Sequence, residues 1–400
     1  MLGFVQSFFS PASNPIGVDF GSDSLRLAQV QRVDGDYRLI AAACAQIPDN
    51  LNDNPRGRLE FFVHSVREIL SHAPFRGRQA VLALPASETI VRELRMKTMD
   101  ESHLKRSLPK AAKDCLPFDS SDAILRHIVA GPFTGGGENE QEVIVIGAAR
   151  EEINQLLAAA GKARLDVIGM NVEPMAIVDC FGHVYRRRGE EELAEFFVDI
   201  GRRGTRAMIS QSGKLRVVRH IAVGGDDFNN AVAARMSIPT SDARTLRIKL
   251  ASAEQSRAAR TAMANATTLV ASRPGQANMG LDCPREEAQQ SNAVQAACLS
   301  LAGTLIEKLD GCRKYYETHF SGQPIDRMIF IGGEARQRRL CQHIAETLGL
   351  PALQGDPLCR MARYSEVNIE SGIDRRTPQP AWAVAIGLSL GVNAARVLAR

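Results

Sequence analysis

No stretch of the 400-residue chain approaches the roughly 18 unbroken apolar residues that a membrane span needs, so none is expected. The apolar opening MLGFVQSFF is short and lacks both a basic leader and a cleavage site, which argues against a secretory signal. It is expected to pack on its own domain, to stay loose, or to rest on a partner or a membrane surface. The eight cysteines include no Cys-x-x-Cys, and no histidine pair stands at metal-ligand spacing. A zinc site and a disulfide framework are therefore not expected. Cys44, Cys180 and Cys341, in apolar surroundings, read as small core residues of a protein from a reducing cytoplasm. A surplus of one charge is missing too: 49 Lys and Arg face 45 Asp and Glu, too even for a dedicated nucleic-acid binder. The basic run Arg186–Arg188 is offset at once by Glu190–Glu192, as on a solvated face.

What remains is a soluble-type composition, 44% apolar, in a chain too long for one ordinary core. Its central stretch is FFVDIGRRGTRAMIS, from Phe196 to Ser210: a buried strand, a tight turn and a second strand. Asp199 stands at the mouth of the turn, and Gly201 and Gly204 bracket Arg202 and Arg203 before Thr205. Glycines there allow positive φ and let backbone N–H groups approach an anion, while a solvent-facing aspartate suits a metal ion. A second copy, IGVDFGSDSLRLAQV, puts Asp19, Gly21, Ser22 and Ser24 in corresponding places. One such turn joins many hairpins that bind nothing. Two in matching strand contexts suggest lobes built alike, each offering a phosphate loop to one nucleotide. That pattern resembles the actin/Hsp70/sugar-kinase ATPase superfamily.

Along the chain, an N-terminal extension (1–15) precedes the first lobe (16–87), with three strands, a loop over Asn50–Arg58, a helix with Leu59, Phe62, Val66 and Leu70 on one face, and the strand QAVLALP. From Glu88 the plan changes: strand, helix capped by Asp100 and interrupted at Pro109, two strands around Gly135–Gly137, and a helix over Glu151–Gly161. This is read as an inserted subdomain over 88–167. The first lobe continues over 168–194, with a helix whose first turn holds Asn171, Glu173 and Pro174. The second lobe comprises 195–233, a helical subdomain at 234–322, and 323–379. Within it, Ala251–Asn292 is poor in large apolar residues and reads as weakly folded or a surface excursion. The strand PIDRMIFIGG ends on Gly332-Gly333, and a helix slim with Ala and Gly closes the chain over 380–400.

In order and spacing, IGVDFGSDSLRLAQV, AAKDCLPFDSSDAILRHIV, EVIVIGAAREEINQLLAAAG, NVEPMAIV, FFVDIGRRGT, HIAVGGDDFNNAVA, CRKYYETHFSGQPIDRMIFIGGEARQ and PAWAVAIGLSLG resemble the PilM family of type IV pilus assembly, relatives of FtsA. The resemblance implies an α/β, two-lobed actin-like ATPase fold (ribonuclease H-like duplicated lobes) with an SHS2-type insert in the first lobe. It implies ATP and Mg²⁺ as cofactors. Asp19 and Asp199 would hold the metal through its waters, and Gly21, Ser22, Ser24, Gly201, Arg202, Gly204 and Thr205 would hold phosphates. Arg247 would face the adenosine, with Lys249 as the other basic residue nearby, and Gly332 and Gly333 would lie against base and ribose. Glu173 is the candidate for positioning the attacking water. The implied role is a cytoplasmic scaffold, peripheral to the inner membrane, at most a slow ATPase. It would grip the cytoplasmic N-terminal peptide of a PilN-like inner-membrane protein in a groove around Arg92–Phe118 and the neighbouring first lobe. The pilus motor ATPase and further copies of the chain are other candidate partners.

Three departures bear on nucleotide affinity: Asp23 adds a negative charge to the first loop, Arg202 and Arg203 fill usually small positions, and Arg339 stands where a glycine is common. The alternatives are an FtsA-like filament-forming ATPase, which would end in a linker and an amphipathic helix, and a divergent sugar or acetate kinase. For the kinase no acid–base aspartate motif is evident.

Overall fold

The computed structural model describes residues 13–119, 121–133, 139–184, 192–268, 285–320, 323–363 and 372–391. The first twelve residues, the turn expected at Gly135–Gly137, the run Arg186–Arg188 and the last nine residues of the helix expected over 380–400 lie outside the described residues.

Strand β1 (Ile16–Phe20) is buried along its whole length, as a strand paired on both sides and covered on both faces must be. It pairs antiparallel with β2 (Ser24–Val33), which pairs antiparallel with β3 (Asp36–Gln46). On its other side β1 runs parallel to β4 (Gln79–Leu84), and β4 runs parallel to β8 (Asp166–Val172). The second sheet repeats this plan. There β9 (Ala194–Ile200), β10 (Thr205–Gln211) and β11 (Lys214–Ile221) form the meander. The strands β12 (Arg327–Ile331) and β13 (Ala352–Gln354) add in parallel. The orders β3-β2-β1-β4-β8 and β11-β10-β9-β12-β13 are the same winding twice. A two-residue strand, β14 (Ala362–Arg363), not anticipated from sequence, adds to the β3 edge.

Parallel neighbours need a crossover, and helices supply it. Helix α1 (Pro55–His72) leads to β4 and starts earlier than its apolar face suggests. Asn54 accepts the Gly57 N–H at 2.8 Å and Pro55 takes the first helical position, so cap chemistry sets the boundary. Helix α3 (Arg150–Lys162) leads to β8, and its Leu156, Ala159 and Ala160 pack with Ile16, Val18, Phe62 and Val66 of the first lobe. Its Ile153 and Leu157 pack instead with Ile146 and Ala148 of the insert, so α3 joins the insert to the first lobe. Asn171 lies in β8, and the next helix, α4 (Glu173–Val184), begins at Glu173.

In the second lobe α5 (Gly225–Met236), α6 (Thr240–Thr268) and α7 (Arg285–His319) stand between β11 and β12, and α8 (Arg338–Leu348) follows β12. The stretch read as weakly folded is therefore largely helical: α6 runs to Thr268 and α7 starts at Arg285. The residues between them, 269–284, lie outside the described residues. Ala, Arg and Gln are good helix formers even where few large side chains are available to pack. The closing helix α9 (Ala383–Leu390) is buried at every position and packs on α4, β1 and β2, as its small residues suggest.

The insert is a three-stranded antiparallel sheet in the order β5 (Thr89–Lys97), β7 (Glu140–Ala149), β6 (Ala123–Pro132). Its helix α2 (Glu101–Ala111) is capped by Asp100, which accepts the His103 N–H at 2.9 Å, and Pro109 is tolerated inside its last turn. Leu104 and Leu108 of α2 cover Val143 and Val145 on one face of the sheet. The other face docks on the second lobe. There Glu93 accepts the Val218 N–H at 2.8 Å and pairs with Arg219, and Glu142 accepts the Tyr315 hydroxyl at 2.9 Å.

Burial pushes the Glu93 carboxyl up to about 7, against the pull of Arg219, and the nearby Glu142 charge adds to the rise. A raised folded-state value means the unfolded chain binds fewer protons between about pH 4.5 and 7. The contribution of Glu93 is thus fully present below its unfolded value and is lost as pH rises through about 7. A shift of this size corresponds to on the order of 3 kcal/mol. The variant Glu93→Gln should therefore melt higher than the natural chain at pH 8, with the gap closing toward pH 4.5. Parallel melting curves across that range would remove Glu93 as a titrating contact.

Candidate functional site

One cavity of about 1120 Å³ opens between the lobes, and both hairpins face it. Asp19, Gly21, Ser22 and Ser24 line it from the first lobe, Asp199, Gly201, Arg202 and Gly204 from the second, together with Glu173, Arg247, Gly332 and Gly333. Of the residues expected at a nucleotide site, Thr205 alone is not in the wall. It is fully buried, and its hydroxyl donates to the Val223 carbonyl at 2.7 Å.

The two turns are closed in the same way. Gly21 N–H donates to Ser24 O at 3.0 Å, and Gly201 N–H donates to Gly204 O at 3.0 Å. Ser22 and Asp23 form one tip, Arg202 and Arg203 the other. Neither turn uses positive φ, contrary to the expectation from their glycines. What glycine supplies here is close approach: a Cβ would stand 3.4 Å from Ser24 O at Gly21 and 3.2 Å from Gly204 O at Gly201. Each turn is also braced from behind: Arg58 of α1 donates to Gly21 O at 2.8 Å, and the Gly225 and Asp226 N–H groups of α5 donate to Gly201 O and Arg202 O, both at 2.9 Å. Positive φ does occur at the third turn, where Gly332 has φ +85°. A Cβ there would strike the Asp199 carboxylate and lie 2.6 Å from Ile200 O, so only glycine fits beside the aspartate.

Two residues beyond those expected complete the floor. Arg26 and Arg206 each stand seven positions after their aspartate, and each is its direct cross-strand neighbour. That shared spacing is the signal in the sequence that marks them. Arg26 lies 3.9 Å from Asp19; Arg206 lies 3.5 Å from Asp199 and pairs with Glu173. Burial raises the Asp19 carboxyl, with Arg26 and Arg206 opposing. Burial and then the Asp19 charge push Asp199 up to about 7, with Arg26 opposing, while burial holds Arg206 down at about 10.

Asp19, Asp199 and Glu173 meet Arg26 and Arg206 here, and a third guanidinium, that of Arg336, lines the same cavity near Arg26. Among the described residues no group of three or more His, Cys, Asp or Glu is placed to hold a metal by itself. An all-oxygen set of this kind fits a hydrated Mg²⁺ shared with phosphate, since that ion keeps most of its waters, and does not fit a closed protein cage.

Other expected contacts differ in detail. Arg247 is 1% exposed, pairs with Glu334 and donates to Asn229 Oδ1 at 2.6 Å and Gly225 O at 3.2 Å, so its guanidinium braces the wall. Glu173 is held by Arg206 and so is not free at the helix end. Arg202 and Arg203 reach across the mouth to the first lobe: Arg202 pairs with Asp49 at 2.7 Å and Asp23 at 3.4 Å, and Arg203 donates to Asn52 O at 2.8 Å. Arg339 does not line the cavity; it turns outward to Glu254 at 2.8 Å.

Among solved structures, a PilM–PilN type IV pilus biogenesis complex is similar over 94% of this chain and 98% of the matched chain, with a TM-score of 0.70 and 20% identity. The ethanolamine utilization protein EutJ from Carboxydothermus hydrogenoformans follows at a TM-score of 0.49 and 14% identity, over 96% and 90% of the two chains. An archaeal actin homologue, Ta0583, matches at 0.43 and 12%, over 95% and 99%. The fold is the two-lobed actin-like fold. No helix among the described residues is long and apolar enough to cross a membrane. The family model described as type IV pilus assembly protein PilM matches residues 17–257, more than half of the chain, and the chain belongs to that family.

Proposed function

We propose that this protein is a nucleotide-binding scaffold of a type IV pilus or related secretion machine. In this reading it holds Mg-ATP between its lobes and grips the cytoplasmic N-terminal peptide of a PilN-like inner-membrane protein. The observation that carries the nucleotide half is the pair of identically closed hairpins, from identically wound sheets, facing one cleft. Backbone N–H groups and hydroxyls of Gly21–Ser24 and Gly201–Gly204 would cradle phosphates, and Arg26 and Arg206 would offset their charge. Asp19 and Asp199 would hold Mg²⁺ through water, and the bound ion would neutralise charge on the phosphates.

Hydrolysis needs a water held in line with the terminal phosphate. Glu173, the candidate for holding that water, is paired with Arg206, and this reading therefore favours storage of nucleotide over fast turnover. Adenosine recognition then rests on Gly332, Gly333 and the Arg247–Glu334 wall.

The partner half rests on family membership and on the PilM–PilN complex among the similar structures. The cleft runs on past Arg58 to Ala86, Glu88, Glu152 and Gln155, where the first lobe meets the insert. None of Arg92–Phe118 lines it, so a peptide groove formed by that segment and the first lobe would be separate from the nucleotide cleft. A cytoplasmic location at the inner membrane would follow from the partner, and the motor ATPase and self-association remain subordinate parts of the same reading. A labelled peptide from the N-terminus of a PilN-like protein should bind the purified chain with micromolar affinity. An anisotropy titration that stays flat to about 1 mM peptide would sink the scaffold half and leave the nucleotide half standing.

A further inference from the structure

The mouth of the cleft carries a charge cluster separate from the carboxylates at its floor. Arg202, at the tip of the second hairpin, is anchored through Nε to both oxygens of Asp226, at 3.0 and 3.1 Å. That anchor leaves Nη1 aimed across the mouth at Asp49 and Asp23. Arg244 of α6 reaches the same two acids, 3.2 Å from Asp49 and in direct contact with Asp23. Both arginines line the cavity and are largely shielded, with side chains 14% and 28% exposed. Asp23 is itself part of the first hairpin, where the polyphosphate of the preceding reading would lie.

Guanidinium groups present a planar fork that carboxylate and phosphate oxygens satisfy alike. We propose that Arg202 and Arg244 recognise the polyphosphate chain of the nucleotide, and that Asp23 and Asp49 are intramolecular competitors for the same guanidiniums. The competition has two consequences. Affinity is set by an exchange of one anion for another, not by filling a waiting site. The contacts exchanged also join the lobes across the mouth, so binding and lobe contact are tied to the same four side chains.

This proposal rests on the nucleotide reading of the cleft, and the test separates the two. Mg-ATP is titrated calorimetrically into the full chain, into Asp23→Asn/Asp49→Asn, into Arg244→Gln, and into Asp34→Asn/Asp36→Asn. The last changes net charge equally, at the β2–β3 turn, which does not line the cavity. Removing the competitors should tighten binding about five- to tenfold at low ionic strength, as expected for several partly exposed pairs acting together. The gain should shrink at about 0.5 M salt. Arg244→Gln should weaken binding about tenfold or more, and the Asp34/Asp36 control should match the natural chain. If the natural chain binds Mg-ATP but neither mouth variant differs from it, the competition is refuted and the arginines are only a bridge between lobes. If no variant and no natural chain binds, the nucleotide reading falls and takes this proposal with it.

Discussion

Asp199→Asn should weaken Mg-ATP binding by about a hundredfold while leaving the chain folded. From the residue pattern alone Asp199 belongs to a solvent-facing turn; in the structure it is the next-to-last residue of β9 with its side chain only 14% exposed, against Gly332 and opposite Arg206. Its role under the nucleotide reading is to hold the hydrated metal together with Asp19, and the amide has the same shape without the charge. Stability should not suffer. Burial pushes the Asp199 carboxyl up to about 7. Its contribution is thus full below the unfolded value of about 3.8 and is lost as pH rises through about 7. At pH 8 the natural chain therefore holds this charge at a cost, and the amide removes it. The expected result is a melting temperature at pH 8 equal to or above that of the natural chain, with calorimetric Mg-ATP binding weakened about a hundredfold. Equal affinity for Mg-ATP in the two proteins would take Asp199 out of the site.

The largest expected loss of stability comes from a single methyl group at Gly387. This residue lies in α9, the helix buried along its length between α4 and β1. A Cβ there would overlap the Ala176 carbonyl and stand 2.6 Å from its carbon and 3.1 Å from the Cys180 Cβ. The obstacle is backbone of α4, which cannot rotate away as a side chain could. Either helix must shift, and the shift is transmitted to β1, where Gly17 makes a matching close approach to Ala385 and Ser389. Gly387→Ala should cost about 4 kcal/mol or more, at the upper end for overpacking. The comparison variant is Gly303→Ala. That glycine is an exposed position of α7 with nothing within 4 Å of a Cβ, so alanine should stabilise by about 0.5–1 kcal/mol through helix propensity. Denaturant midpoints that move the same way in both variants would show that the close approach at α9 does not control stability.

Much of the fold is legible because the signals are local. Alternating apolar residues mark β1 to β3 and β9 to β11. Asp100 and Asn54 illustrate the range of cap signals: the first reads directly as a cap, whereas Asn54 is masked by the loop-like Asn, Asp and Pro around it. Helix α6 beyond Ala251 is underestimated from sequence because its few large apolar residues speak about packing, not about propensity. The candidate site is legible as two turns. The twin arginines Arg26 and Arg206 are written in the sequence at equal spacing, yet equal spacing acquires meaning only once strand register puts each opposite its aspartate.

What the sequence determined by itself is the duplicated Asp-x-Gly hairpin, the apolar periods of the strands and helices around it, and the small-residue helix that can only be buried. These follow from interactions between near neighbours in the chain. What only the tertiary structure decided is which charges meet. Arg202 and Arg244 find Asp23 and Asp49, Arg206 finds Glu173, Arg247 finds Glu334, and Glu93 finds Arg219. The partners lie far apart in the chain, and a charged side chain carries no mark of its partner. Burial against a specific opposite charge is a property of the folded surface alone, and that is why Arg202, expected on phosphate, and Arg247, expected on adenosine, turn out to be held by carboxylates in the fold.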